Sequence, residues 1–214
     1  MKSFIKLTGL LLLLSLLGSC NNLGNNQSAG WSSNPKETLE DQIYTIEDYG
    51  LSIIWTAYKF TDKIGVSGTF ENHTIYKDDS PGSIENILNR LQLSIITESI
   101  ATDNAIRDFK IRTYFFKVFN TPTITGTVIN AKDGEGFIKL RMNNMSRNTP
   151  FTYSLENDTI LLFTHLNLKK WKAEEALVKL NEECYELHKG IDGISKLWPN
   201  VDVVVRLPVD RTVL

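Results

Sequence analysis

Cysteine is nearly absent: the 214 residues hold two, Cys20 and Cys184. Two thiols are too few for the bridge framework of a small exported scaffold or for a cysteine metal cluster. Histidine is almost as scarce. His73, His165 and His188 are the full set, and no pair has the i, i+4 spacing of a helical metal site. The chain also lacks a G-x-S-x-G elbow, a phosphate-binding P-loop and a G-x-G-x-x-G fingerprint, so no catalytic residue, metal or cofactor is assigned and the expectation is a non-enzyme. A basic excess is missing too, with 23 Lys and Arg against 25 Asp and Glu. That balance argues against nucleic acid, and against anionic lipid, as the main partner.

Long apolar runs are limited to one, Leu7 to Leu17, behind Lys2 and Lys6. It is shorter than the roughly 20 residues that span a bilayer and has the texture of a secretory signal. Leu17-Gly18-Ser19-Cys20 closes the run and resembles a bacterial lipobox, at which a lipoprotein signal peptidase cuts before the cysteine. Residues 1–19 are therefore expected to be a lipoprotein signal peptide, with Cys20 the lipid anchor, carrying palmitate. The expected location is the bacterial cell envelope, lipid-anchored and periplasm-facing; Asn21 suits outer-membrane sorting. The alternative is an ordinary secreted protein in which Cys20 is removed or unused. Loss of Lys2 and Lys6 would move the formal net charge from −2 to −4. Cys184 would then lack an intramolecular partner and reads as a small buried hydrophobe.

Residues 20–42, rich in Asn, Ser and Gly, read as a flexible tether, and residues 43–214 as one β-rich domain. Ile53, Trp55 and Ala57 alternate with polar or outward positions, and Val66, Gly68 and Phe70 continue the pattern after a turn near Asp62-Lys63. Leu91, Leu93 and Ile95 form another inward set, and Val201, Val203, Val205 and Leu207 a last one. Asp133-Gly134 and Asn157-Asp158 mark two hairpins. Ser83 is expected to cap a short helix to Arg90. Leu168 to Lys189 is predicted as one amphipathic helix, with Leu177, Leu180, Cys184 and Leu187 on its apolar stripe and Gly190 as its C-cap. Many short strands joined by hairpins point to an antiparallel barrel or sandwich.

Ser99-Ile100-Ala101-Thr102-Asp103-Asn104-Ala105-Ile106-Arg107-Asp108, running on to Tyr114-Phe115-Phe116, resembles the YceI-like family. Gly65 to Glu71, with its Gly-Thr-Phe, is similar to that family's second strand, and Trp198-Pro199-Asn200-Val201-Asp202-Val203 to its closing strand. Two places depart from the pattern: Lys110 stands where a histidine is common, and Asn144 to Pro150 is a looser version of the family's turn. The resemblance implies an all-β-dominated, lipocalin-like antiparallel barrel of about eight strands, with one amphipathic helix and a short helical segment. It also implies binding of a polyisoprenoid lipid or isoprenoid quinone.

Alternation sends Ile53, Trp55, Ala57, Val66, Phe70, Leu91, Leu93, Ile95, Val203 and Val205 inward as candidate lumen residues, with Ala57 and Gly68 leaving room beside Trp55 and Phe70. An eight-stranded barrel either holds one ligand or fills with side chains, and the residues alone leave both open. Arg107 and Asp108 admit two readings. In one, Arg107 holds backbone carbonyls at the rim and Asp108 caps the following turn; in the other, Arg107 clamps a polar or pyrophosphate head group. The functional expectation is an envelope protein that stores or transports an isoprenoid-type lipid, membrane-bound through its N-terminus, with a homodimer as a further partner. The alternative is a pocketless interaction module in envelope assembly or stress response.

Overall fold

The computed structural model describes residues 42–212. The leader, Cys20 and nearly all of the tether lie outside the described residues.

The described residues form eleven strands and three short α-helices. The strands are β1 (Ile43–Ile46), β2 (Ser52–Lys59), β3 (Ile64–Phe70), β4 (His73–Tyr76), β5 (Gln92–Ile96), β6 (Ile100–Ala101), β7 (Thr123–Lys132), β8 (Glu135–Met142), β9 (Met145–Glu156), β10 (Thr159–Asn167) and β11 (Leu197–Thr212). The helices are α1 (Ile84–Leu88), α2 (Ala105–Lys110) and α3 (Glu174–Glu183). All strand pairs are antiparallel, in the order β4-β5-β7-β8-β9-β10-β11-β2-β3-β6, with β1 added to the far end of β11.

Four of these strands are halves of two bent ones. β3 pairs with β6 and β4 with β5, while Glu71-Asn72 joins β3 to β4 and a 3₁₀ turn over Thr97–Ser99 joins β5 to β6. Glu71 N–H donates to Ser99 O at 3.0 Å and Ile96 N–H to Asn72 O at 3.0 Å, so pairing carries on across the bends. With β1 left aside and each bent strand counted once, the ladder closes on itself as eight strands, the number expected for a lipocalin-like barrel. Closure leaves little free edge, which is how barrels escape edge-to-edge aggregation.

The hairpins follow local chemistry. Asp133-Gly134, Asn143-Asn144 and Asn157-Asp158 all have positive φ, the conformation that two-residue turns with the twist of a β-ribbon require. The middle turn differs from the expected loose turn over Asn144 to Pro150. Asn143-Asn144 makes it alone, and Pro150 lies inside β9, beyond the last ladder pair with β10, where its missing N–H costs nothing.

The ends of the barrel are covered by helices. At one end α1, capped by Ser83 as expected, buries Ile87 and Leu88, and Asn89 exchanges two hydrogen bonds with the Ala131 backbone. At the other end, α2 runs into a π-helical turn over Ile111–Phe116, and α3 packs on that turn. The single helix predicted over Leu168–Lys189 is instead three pieces. Asn167 caps a 3₁₀ turn over Leu168–Trp171, Lys172 takes a left-handed conformation at φ 60°, and α3 begins at Glu174. The break drives the Trp171 ring fully into the core, where it has no exposure. Cys184, not Gly190, is the C-cap of α3; Gly190 belongs to the following loop, its N–H donating to Ile194 O.

Candidate functional site

The side chains of β2, β3 and β11 that point inward meet the π turn and α3 across a small apolar chamber. Its volume is about 130 Å³, and Trp55, Phe70, Phe116, Leu177, Leu180 and Val203 are among its walls. The π turn is the local cause of this shape. Lys117 N–H reaches back five residues to Arg112 O at 3.1 Å, and the widened turn directs Phe115 and Phe116 inward. Phe116 then meets Phe70 and Phe115 edge-on, at ring-centroid distances of 6.0 and 5.1 Å.

A wider, open vestibule of about 380 Å³ adjoins the chamber. The two share Ala57, Ile111, Leu180 and Leu197 as walls. Around the vestibule stand Lys59 from β2, Arg107 and Lys110 from α2, and His188 beyond α3, and none of the described residues that line it is acidic. Lys59 Nζ donates to Leu187 O at 3.1 Å, and Lys110 Nζ lies 3.3 Å from Glu183 Oε1. His188 pairs its Nδ1 with Asn181 Oδ1 at 2.9 Å. Burial, followed by the charges of Lys59 and Lys110, pushes its imidazole down to about 4, so it is neutral at physiological pH. Burial likewise raises the Cys184 thiol, which suits a packing residue and not a nucleophile.

The ten predicted lumen residues divide. Trp55, Ala57, Phe70 and Val203 line the chamber, and Val66 the vestibule. Ile53 and Ile95 do not: they are buried in the cluster behind Trp55 and Phe70. Leu91, Leu93 and Val205 border a separate void of only about 30 Å³ towards the α1 end, where Ile138, Leu140 and Phe151 fill the barrel as a packed core. Alternation marks which residues face inward; it does not report whether the opposite wall reaches them. Gly68 also departs from expectation, since Trp55, Ala101 and Thr102 occupy the space above its α-carbon.

Neither Arg107 nor Asp108 takes the role that the structural reading gave it. Among the described residues, the Arg107 guanidinium has no hydrogen-bond or ion-pair partner; it is exposed and borders the vestibule, so it holds no rim carbonyl. Asp108 does not cap the turn after it. It accepts from Thr102 Oγ1 at 2.5 Å, while Asn104 is the N-cap, its Oδ1 accepting from Arg107 N–H at 2.9 Å. The run from Ser99 to Asp108 is thus a device for setting α2 against β6, with Arg107 left facing solvent.

The histidines are scattered. His73 opens β4 and bonds Phe70 O; His165 on β10 bonds Asp202 Oδ1; His188 faces the vestibule. Among the described residues no group of three His, Cys, Asp or Glu side chains is placed to hold a metal. Sequence reasoning assigned no wall to the π turn or α3: Phe115 and Phe116 entered only as part of the family motif, Lys110 only as a departure from it, and Lys59 not at all.

No family model matches the chain, and no curated protein matches it. Solved structures do. A polyisoprenoid-binding domain from Saccharophagus degradans, implicated in plant cell wall breakdown, superposes with a TM-score of 0.52 at 14% identity, covering 79% of this chain and 98% of that one. BcnA of Burkholderia cenocepacia gives 0.50 at 11% identity, over 77% and 99%. The YceI protein of Campylobacter jejuni gives 0.46 at 16% identity, over 73% and 90%. The chain shares the antiparallel barrel fold of the Saccharophagus degradans domain and BcnA, which is the fold its motifs implied.

Proposed function

We propose that this protein binds a single-chain apolar lipid of isoprenoid type, with hydrocarbon in the chamber and the polar end in the vestibule. The observation that carries the reading is the junction itself: an apolar chamber adjoins, across four shared lining residues, a vestibule that is partly apolar and is bordered by Lys59, Arg107, Lys110 and His188. The chamber, at about 130 Å³, is close to the roughly 150 Å³ of an apolar cavity that binds benzene, so it suits about one five-carbon unit. Burying such a unit is worth roughly 3–4 kcal/mol. Micromolar affinity needs about 8 kcal/mol, so more of the chain must lie along the vestibule walls. The same fold in a domain described as polyisoprenoid-binding supports this choice of ligand.

The N-terminal features add the rest of the reading. Acylation of Cys20 would tether the barrel to the envelope membrane on a linker of residues 21–42, where it would store or transfer its lipid without bond chemistry. Native mass spectrometry of the full chain tests the ligand. A co-purified lipid, or uptake of farnesol or a quinone that Ala57→Phe prevents, is the expected result. A ligand-free mass with no uptake of either would favour the pocketless interaction module.

A further inference from the structure

We infer that the vestibule selects lipids with an anionic head group, a phosphate or carboxylate, over neutral alcohols and quinones. This deepens the proposed lipid-binding reading and rests on it. The formal net charge of the chain is slightly negative, but charge is not spread evenly. Three cationic side chains, Lys59, Arg107 and Lys110, border one opening, and none of the described residues that line it is acidic. Lys110 is the only one with a carboxylate partner, Glu183, which is not among the lining residues. Lys59 is held by a backbone carbonyl, which satisfies a donor without cancelling the charge.

Arg107 is the decisive group. It sits in the first turn of α2, and its own N–H donates to the Asn104 cap, so its backbone is anchored. Its side chain has no partner among the described residues, leaving all five donors for a ligand oxygen. A planar guanidinium matches phosphate and carboxylate with two parallel hydrogen bonds, which an ammonium cannot do. Depth fits as well. The chamber that would take the tail shares Ile111 with the vestibule, four residues after Arg107, which places head and tail on successive turns of one segment. The cationic field is also felt by a neighbour, since Lys59 and Lys110 both help to keep His188 neutral.

The test is calorimetric titration of the full chain with farnesyl phosphate, farnesol and inorganic phosphate, for wild type and Arg107→Gln. The expected result is at least tenfold tighter binding of farnesyl phosphate than of farnesol, a ratio that collapses towards one in Arg107→Gln and falls with added salt. Inorganic phosphate alone should give no measurable heat, because the tail supplies most of the binding. In nuclear magnetic resonance, farnesyl phosphate should raise the His188 titration midpoint and farnesol should not. Equal affinities for the phosphate and the alcohol would overturn head-group selection while leaving lipid binding intact. Binding of neither lipid would remove the proposed function and this inference with it. Saturable binding of inorganic phosphate alone would identify a free-anion site and overturn the lipid assignment. Arg107 is exposed and makes no contact that folding needs, so an unchanged melting temperature in Arg107→Gln keeps these outcomes interpretable.

Discussion

Gly68 lies directly beneath the Trp55 indole. The two residues are paired across β2 and β3, and a Cβ on Gly68 would stand 2.5 Å from Trp55 Cζ2 and 2.6 Å from the Ala101 carbonyl oxygen. The indole could swing aside, but the carbonyl belongs to β6, which is paired to β3. Glycine here lets the bent strand approach closely enough to close the ring. Gly68→Ala is therefore expected to destabilise the domain by about 1–3 kcal/mol, the usual penalty for overpacking, as a lower urea midpoint with an unchanged slope. A neutral result would mean that β6 is free to move away from β3.

Trp55 and Ala57 sit next to each other on the inward face of β2 and make opposite predictions. Trp55 is almost fully buried, so Trp55→Ala should cost about 3–5 kcal/mol through lost packing and the cavity left behind. Ala57 is half-buried in the wall common to chamber and vestibule. Ala57→Phe should obstruct that junction and abolish farnesol uptake while costing much less stability. Equal loss of stability in the two variants, measured by urea unfolding, would show that the space beside Ala57 is already packed.

His188 links stability to pH with a defined sign. Its folded value of about 4 lies below the ordinary histidine value of 6.5, so between these limits the unfolded chain binds the extra proton. Stability is then fully present above pH 6.5 and falls as the pH drops towards 4. Linkage allows at most about 3 kcal/mol for such a shift, and partial solvent exposure of the ring reduces it to about 1–2 kcal/mol. Chemical denaturation at pH 7 and pH 4.5 should show His188→Gln losing less stability on acidification than wild type by that amount. Parallel losses in both proteins would show that the imidazole is protonated in the folded state.

Cys20→Ala tests the anchor. The variant should accumulate as unprocessed or mislocalised precursor and incorporate no labelled palmitate. Cys184, the one remaining cysteine, is buried against the core and offers no substitute. Normal labelling in the variant would end the lipoprotein reading.

The sequence by itself determined the strand-rich body, the two hairpins at Asp133-Gly134 and Asn157-Asp158, the Ser83 cap and the inward faces of β2, β5 and β11. These are local matters: turn residues with positive φ, a cap side chain, and a two-residue alternation all act over a few positions. The motifs around Asn104 and Gly68 carried the barrel fold, because both sit where the strands bend to close the ring. Tertiary structure alone decided where the interior is hollow. Leu91 and Trp55 have the same inward orientation, yet one borders a residual void in a packed core and the other an apolar chamber, because Phe151 and its neighbours fill the first end while the π turn and α3 roof the second. The roles of Arg107 and Asp108 were likewise set in three dimensions. The Asn104 cap and the Thr102 hydroxyl, which lie before them in the chain, already hold α2 in place, so the arginine is left facing the vestibule beside Lys59, which comes from β2, 48 positions earlier.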